Sequence, residues 1–175
     1  MGVIFKKNKR GQIWVETVIY TLIAFAIIAL VLSFVKPKIG EVQDKTIIDQ
    51  SLGMIKDIDA IILEVTRGGV GNKRKIELGI KKGILRIEPK EKRIVFEMDS
   101  DYIYSEPGQD VHYGDTVVRT ESRGEINRIT LTNTYEEYGL QYNGDENTKS
   151  LNKASTPYQM YISNEGNGVI NIEVN

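Results

Sequence analysis

The stretch KRGQIWVETVIYTLIAFAIIALVLSFVKPK, Lys9 to Lys38, decides how the rest of the chain is read. From Ile13 to Val35 it holds 23 residues, and Glu16 is the one charged member. At about 1.5 Å of rise per residue such a helix reaches roughly 34 Å, enough to cross a bilayer core of about 30 Å. A cleaved secretory signal has a shorter apolar core with small residues at a cut site behind it, whereas this run continues into Lys36-Pro37-Lys38. The segment therefore reads as a membrane helix that is not cut on its far side. Lys6, Lys7, Lys9 and Arg10 precede it and Lys36 and Lys38 follow it. That bias favours a cytoplasmic N-terminus, with the rest of the chain outside the membrane.

Charge and composition narrow the remainder. Of 23 basic residues, four lie in the first eleven positions, which leaves 19 against 24 acidic residues and a net −5 over 12–175. A nucleic-acid partner is not indicated, because the one basic cluster sits beside the apolar run, where it serves as a topology signal. The chain has no cysteine, so disulfides, thiolate metal sites and cysteine nucleophiles are excluded. A single histidine, His112, leaves little material for imidazole chemistry.

Glu16 is the anomaly. An ionised carboxylate in a lipid-facing helix costs a few kcal/mol at mid-bilayer and less near the interface, and such groups usually face a partner. Snorkelling to the headgroups beside Lys9 and Arg10 is one answer. The other uses the residues in front of it: a basic leader, then Gly11, then Gln12, with Glu16 the fifth residue counted from Gln12. A cut between Gly11 and Gln12 would create a positive α-amino group four residues from Glu16. The carboxylate of one subunit could then meet the N-terminus of its neighbour, each neutralising the other in a low-dielectric helix bundle.

At these residues, over about positions 6–38, the chain resembles the precursors of type IV pilins, in particular archaeal pilin-like proteins with a class III signal peptide. Arg10-Gly11 matches the cleavage context of that family, Gln12 the first mature residue of many archaeal members, and Glu16 the family's carboxylate position. The chain departs from the pattern Gln-x-Ser-x-Glu-x-x-x-Leu of one archaeal subfamily with Trp14 for Ser and Tyr20 for Leu. The resemblance implies removal of residues 1–11 by a prepilin peptidase, a pilus assembly platform that extracts the helix, and a homo-oligomeric filament or one shared with other pilins. It also implies a site made of the junction Gly11–Gln12, the leader bases Lys6, Lys7, Lys9 and Arg10, and Glu16 as the residue that sets assembly register. Many bacterial pilins clamp a C-terminal loop with a disulfide; a chain without cysteine is closer to the archaeal kind, whose outer domain is typically a β-sandwich.

Beyond the apolar run the chain changes character. Pro37 removes a backbone donor, so a kink or break is expected near residues 33–37. Ile48, Leu52, Ile55, Ile58, Ile62 and Val65 then recur at steps of three and four between charged residues, the pattern of an amphipathic helix. A second seam, Ile47, Met54, Ile61 and Val65, widens the stripe. Gly68-Gly69-Val70-Gly71-Asn72 ends it; no Gly-Lys-Ser/Thr follows, so a phosphate loop is discounted.

From Lys73 the period falls to two. Strand candidates are Ile76–Ile80, Ile84–Ile87, Arg93–Met98, Tyr102–Tyr104, Thr116–Arg119, Arg128–Thr132, Gly139–Tyr142, Tyr158–Ile162 and Val169–Val174, with turn residues between most of them. Residues 145–157 are polar and read as a loop. Short strands at this spacing suggest an antiparallel sandwich or a strongly curled sheet. The expected fold class is α+β, a long N-terminal hydrophobic and amphipathic helix followed by an antiparallel β-rich domain. Its organisation reads as leader 1–11, membrane or filament-core helix 12–36, amphipathic continuation 37–68 and extracytoplasmic β-rich domain 69–175.

The β region offers no convincing catalytic set. His112 beside Asp110 and Asp115 reads as a solvated loop histidine; Asp99-Ser100-Asp101 and the Asn143–Asn147 run lack the ligand spacing of an EF-hand loop. Tyrosines 102, 104, 113, 135, 138, 142, 158 and 161 are numerous, and half-burial on strands explains them better than an exposed adhesive surface. No enzyme, cofactor or metal is expected. Two functions remain: a pilin-like structural subunit that moves from the membrane to a cell-surface filament, or a monomeric surface protein whose helix permanently anchors a β-rich binding module.

Overall fold

The computed structural model describes residues 9–175, with side chains from Trp14 onward. One helix, α1 (Lys9–Arg67), is followed by ten strands. The chain divides into two compact units, Met1–Gly40 and Glu41–Asn175, so the second part of α1 folds with the strands. The break expected around residues 33–37 is absent: helical residues flank Pro37 on both sides. Proline costs the helix one bond, to the carbonyl four residues back, and the remaining ladder carries the chain through.

The strands are β1 (Lys73–Leu78), β2 (Ile84–Glu88), β3 (Arg93–Ser100), β4 (Asp110–Tyr113), β5 (Thr116–Arg123), β6 (Ile126–Thr134), β7 (Gly139–Tyr142), β8 (Lys149–Asn152), β9 (Tyr158–Gly166) and β10 (Val169–Val174). They form a four-stranded sheet in the order β1-β9-β10-β7 and a six-stranded sheet in the order β4-β5-β6-β3-β2-β8. Every pairing is antiparallel except β10 with β7, which run parallel. The α+β layout is thus as the periodicity predicts. The β9–β10 hairpin turns on Asn167-Gly168, both at positive φ, the geometry in which a two-residue turn matches the twist of its strands.

Both sheets and the helix share one core. Ile48, Ile55, Ile58, Ile62 and Val65 are fully buried in a cluster with Leu85, Ile87 and Phe96 of one sheet and Met160, Ile162 and Ile172 of the other. Of the second seam, Ile47, Met54 and Ile61 are partly buried against that cluster. Alternation does the sorting: in β6, Asn127, Ile129, Leu131 and Asn133 point inward and the residues between them outward. On the outer face, Arg86 and Arg128 both reach Glu97, and Arg128 also reaches Asp99.

Polar contacts fix how the helix sits in its domain. Asp44, 4% exposed, accepts from Lys82 Nζ at 2.6 Å and from the backbone N–H of Asp101 at 2.8 Å. Beside Lys82, Gly83 takes φ +88°, where a side chain is strained, and a Cβ there would lie 2.6 Å from the Glu97 carbonyl. At the other end Asn164 of β9 donates to the Val65 carbonyl, and Arg74 of β1 pairs with Glu64.

Three strand expectations need correction. Residues 145–157 are not all loop: β8 adds to the free edge of β2 and buries Leu151, a lone apolar residue too isolated to give a period. The segment containing His112 is β4, an edge strand whose exposed polar residues carry no alternation. Tyr102–Tyr104 is not a strand, because the Ser100 hydroxyl bonds both backbone groups of Tyr102 and Asp44 takes the N–H of Asp101.

Ile58→Ala is expected to destabilise the β domain by about 2–5 kcal/mol, the range for emptying a packed isoleucine site. Leu63→Ala, at a position 37% exposed, should cost less than about 1 kcal/mol. Urea unfolding of the full chain in detergent micelles, followed by near-UV dichroism of the tyrosines, measures both.

Candidate functional site

The residues that set this chain apart chemically lie in the first half of α1. It contains a segment long and apolar enough to cross a membrane, and none of that segment is buried. Trp14 is 70% exposed, and Phe25, Leu30 and Phe34 are comparably open. No residue of the chain covers this surface among those described.

Within it, polar side chains find partners on the helix itself. Thr21 Oγ1 donates to the Thr17 carbonyl at 2.8 Å and Ser33 Oγ to the Leu30 carbonyl at 2.7 Å. A carboxylate has no proton to give and needs a donor. For Glu16 that donor is Tyr20, whose hydroxyl lies 3.1 Å from Oε1. Residues four apart share a helix face, so the contact follows from the spacing.

Of the site residues expected from sequence, Glu16 lies on the unburied apolar helix. Lys6 and Lys7 lie outside the described residues. Lys9, Arg10, Gly11 and Gln12 belong to α1 by backbone, but their side chains lie outside the described ones. Tyr20 is not among the site residues expected from sequence; an acid and a phenol at i and i+4 in an apolar run is the pattern that brings it to Glu16.

Several polar groups of the β domain have partners within it. Asp110 pairs with Arg119, and His112 is exposed across from Val117. Among the described residues no three His, Asp or Glu side chains are placed to hold a metal ion. Asn143 takes a positive φ in a turn closed by bonds between Tyr142 and Asp145. Lys73, Arg74 and Lys75 of β1 each have a carboxylate partner. Tyr142 of β7 and Tyr158 of β9 are partly buried against the core, as the half-buried strand reading expects; Tyr102, Tyr104 and Tyr138 are partly buried too but lie outside strands, and Tyr113 of β4 is exposed.

Two tyrosines answer to helix carboxylates. Tyr104 donates to Asp49 at 2.8 Å; burial first, and then that carboxylate, push its phenol well above the usual range. Tyr135, 6% exposed, is raised mainly by burial and then by Asp59. Its hydroxyl, close to Asp59, falls short of hydrogen-bond geometry, and the Asn133 carbonyl oxygen is likewise buried without a donor. Burial, then the charge of Asp115, raise Asp59 above the ordinary 3.8, against the lowering effect of Asn133 and Tyr135.

Comparison of the chain with family models, curated proteins and solved structures returns no match.

Because the folded state binds the Asp59 proton more tightly than the unfolded chain does, this group favours folding below pH 3.8. The advantage is lost as pH rises through its raised value. Asp59→Asn is therefore expected to raise the thermal midpoint at pH 7 relative to the parent chain and to leave no such gain at pH 3. Calorimetry of both proteins across that interval reads the difference.

Proposed function

We propose that this chain is a type IV pilin-like structural subunit, cut between Gly11 and Gln12 and assembled into a surface filament through its N-terminal helix. The observation that carries the reading is Glu16, the one charge between Ile13 and Val35, on an apolar helix surface that no described residue covers.

The physical sequence is short. While the helix is in the membrane, lipid covers its apolar surface and the domain from Glu41 onward lies on the outer side. Removing the leader exposes an α-ammonium at Gln12. Extraction by an assembly platform takes the helix out of lipid, so its apolar surface must be covered by helices of other copies or of related pilins. In that bundle an isolated carboxylate is costly, and a neighbour's α-ammonium is the partner that neutralises it. Only one axial offset brings the two together, so the pair sets register while apolar packing supplies cohesion.

Mass spectrometry of the N-terminus, on protein recovered from native membranes and from the cell surface, tests the processing step. A chain beginning at Gln12 is expected. Retention of residues 1–11 would instead identify a permanent signal anchor carrying a β-rich module. Gly11→Val should block the cut and leave the full-length precursor in the membrane. Glu16→Ala should insert and be trimmed as normal but fail to enter filaments; undiminished filament yield from that variant would refute the register role.

A further inference from the structure

The Tyr20–Glu16 contact is more than a local pairing, because of what it leaves open. Glu16 has two carboxylate oxygens; Tyr20 occupies Oε1, and no other described residue donates to the group. The alternatives along the helix are poorly placed. Trp14 and Thr17, two and one residues away, do not share its face. Thr21 and Ser33 give their protons to backbone carbonyls. Tyr20 is also 63% exposed, so its ring is not held by burial. Its phenolic proton itself needs an acceptor in an apolar surrounding, and Glu16 is the acceptor it has.

We propose that Tyr20 is the positioning residue for Glu16: its hydroxyl holds Oε1 against the helix and leaves Oε2 directed to the incoming α-ammonium of a neighbouring copy. The proposal rests on the pilin-like reading and adds a residue to it. In the membrane the bond stabilises the charged carboxylate near the leaflet surface. In the filament the bond is retained, and the ammonium adds to the second oxygen, so the carboxylate ends with a donor on each oxygen. A leucine at this position would supply apolar area alone; the tyrosine supplies that area and a donor one turn from the charge.

Two substitutions at position 20 of the full chain, expressed in the native host, separate the donor from the ring. Tyr20→Phe keeps the ring and removes the proton. It is expected to leave membrane level and leader removal unchanged and to lower filament recovery about three- to tenfold, the range for losing one hydrogen bond of this kind between membrane-helix side chains. Tyr20→Gln removes the ring and keeps a donor within reach of Glu16. It should recover much of that loss. Wild-type filament yield from Tyr20→Phe, or a yield from Tyr20→Gln below that of Tyr20→Phe, overturns the proposal and leaves the ring as the group that matters. The parent chain alone tests the underlying reading: if it keeps residues 1–11 and forms no filament, the ammonium is not the second partner and the proposal falls with it.

Discussion

The β domain depends on a cover that its own sheets do not provide. The inward residues of both sheets, from Leu85 and Phe96 to Met160 and Ile162, close on the stripe Ile48–Val65, whose residues are buried to completion or nearly so. Without that stripe these faces would meet water. The helix is therefore as much part of the domain as any strand, and its placement is fixed by a buried charge. Asp44 is satisfied only when Lys82 and the Asp101 N–H are both in position. Deleting Lys82 leaves the Asp44 carboxylate buried without its counter-charge, which is costlier than losing a surface ion pair, whereas Lys82 itself is 42% exposed and keeps water if Asp44 is removed.

Three carboxylates on one helix meet three different environments. Glu16 sits on an uncovered apolar surface and takes a phenol from its own helix. Asp44 is buried and takes an ammonium and a backbone N–H from two loops. Asp59 is half-buried beside Asn133 and Tyr135, with Asp115 as a repelling neighbour, and is the one whose charge the fold resists. Helical position alone does not distinguish them. What differs is the supply of donors, and that is decided by elements far away in sequence.

This explains which parts could be read from the sequence. The apolar run, the stripe at steps of three and four, and strands with several inward apolar residues are local patterns, and they placed α1, β2, β3, β6 and β10 close to their observed bounds. β8 escaped because its single inward residue, Leu151, has meaning only beside β2. Tyr102–Tyr104 looked like a strand because nothing local shows that Ser100 and Asp44 claim the backbone around it. Of the candidate site, Glu16 stood out because a charge in an apolar run is visible in one dimension; Tyr20 did not, because an aromatic there is unremarkable until its hydroxyl is placed. Asp44 and Asp59 were lost among the other charges of an amphipathic face.

The order β1-β9-β10-β7 has a consequence for how the domain comes into being. β1 pairs with β9 across some 90 residues of chain, Lys73 opposite Ser163, and β7 waits for β10 to lie beside it. Neither outer strand of that sheet has a partner until the last two strands exist. During synthesis from the N-terminus, the stripe on α1 is made first and its cover over β9 and β10 is completed last. Such distant pairings are slow to form because the intervening chain must be closed into a loop before any contact rewards it. The four-stranded sheet thus stays open while most of the domain is being made and closes only when its final hairpin arrives.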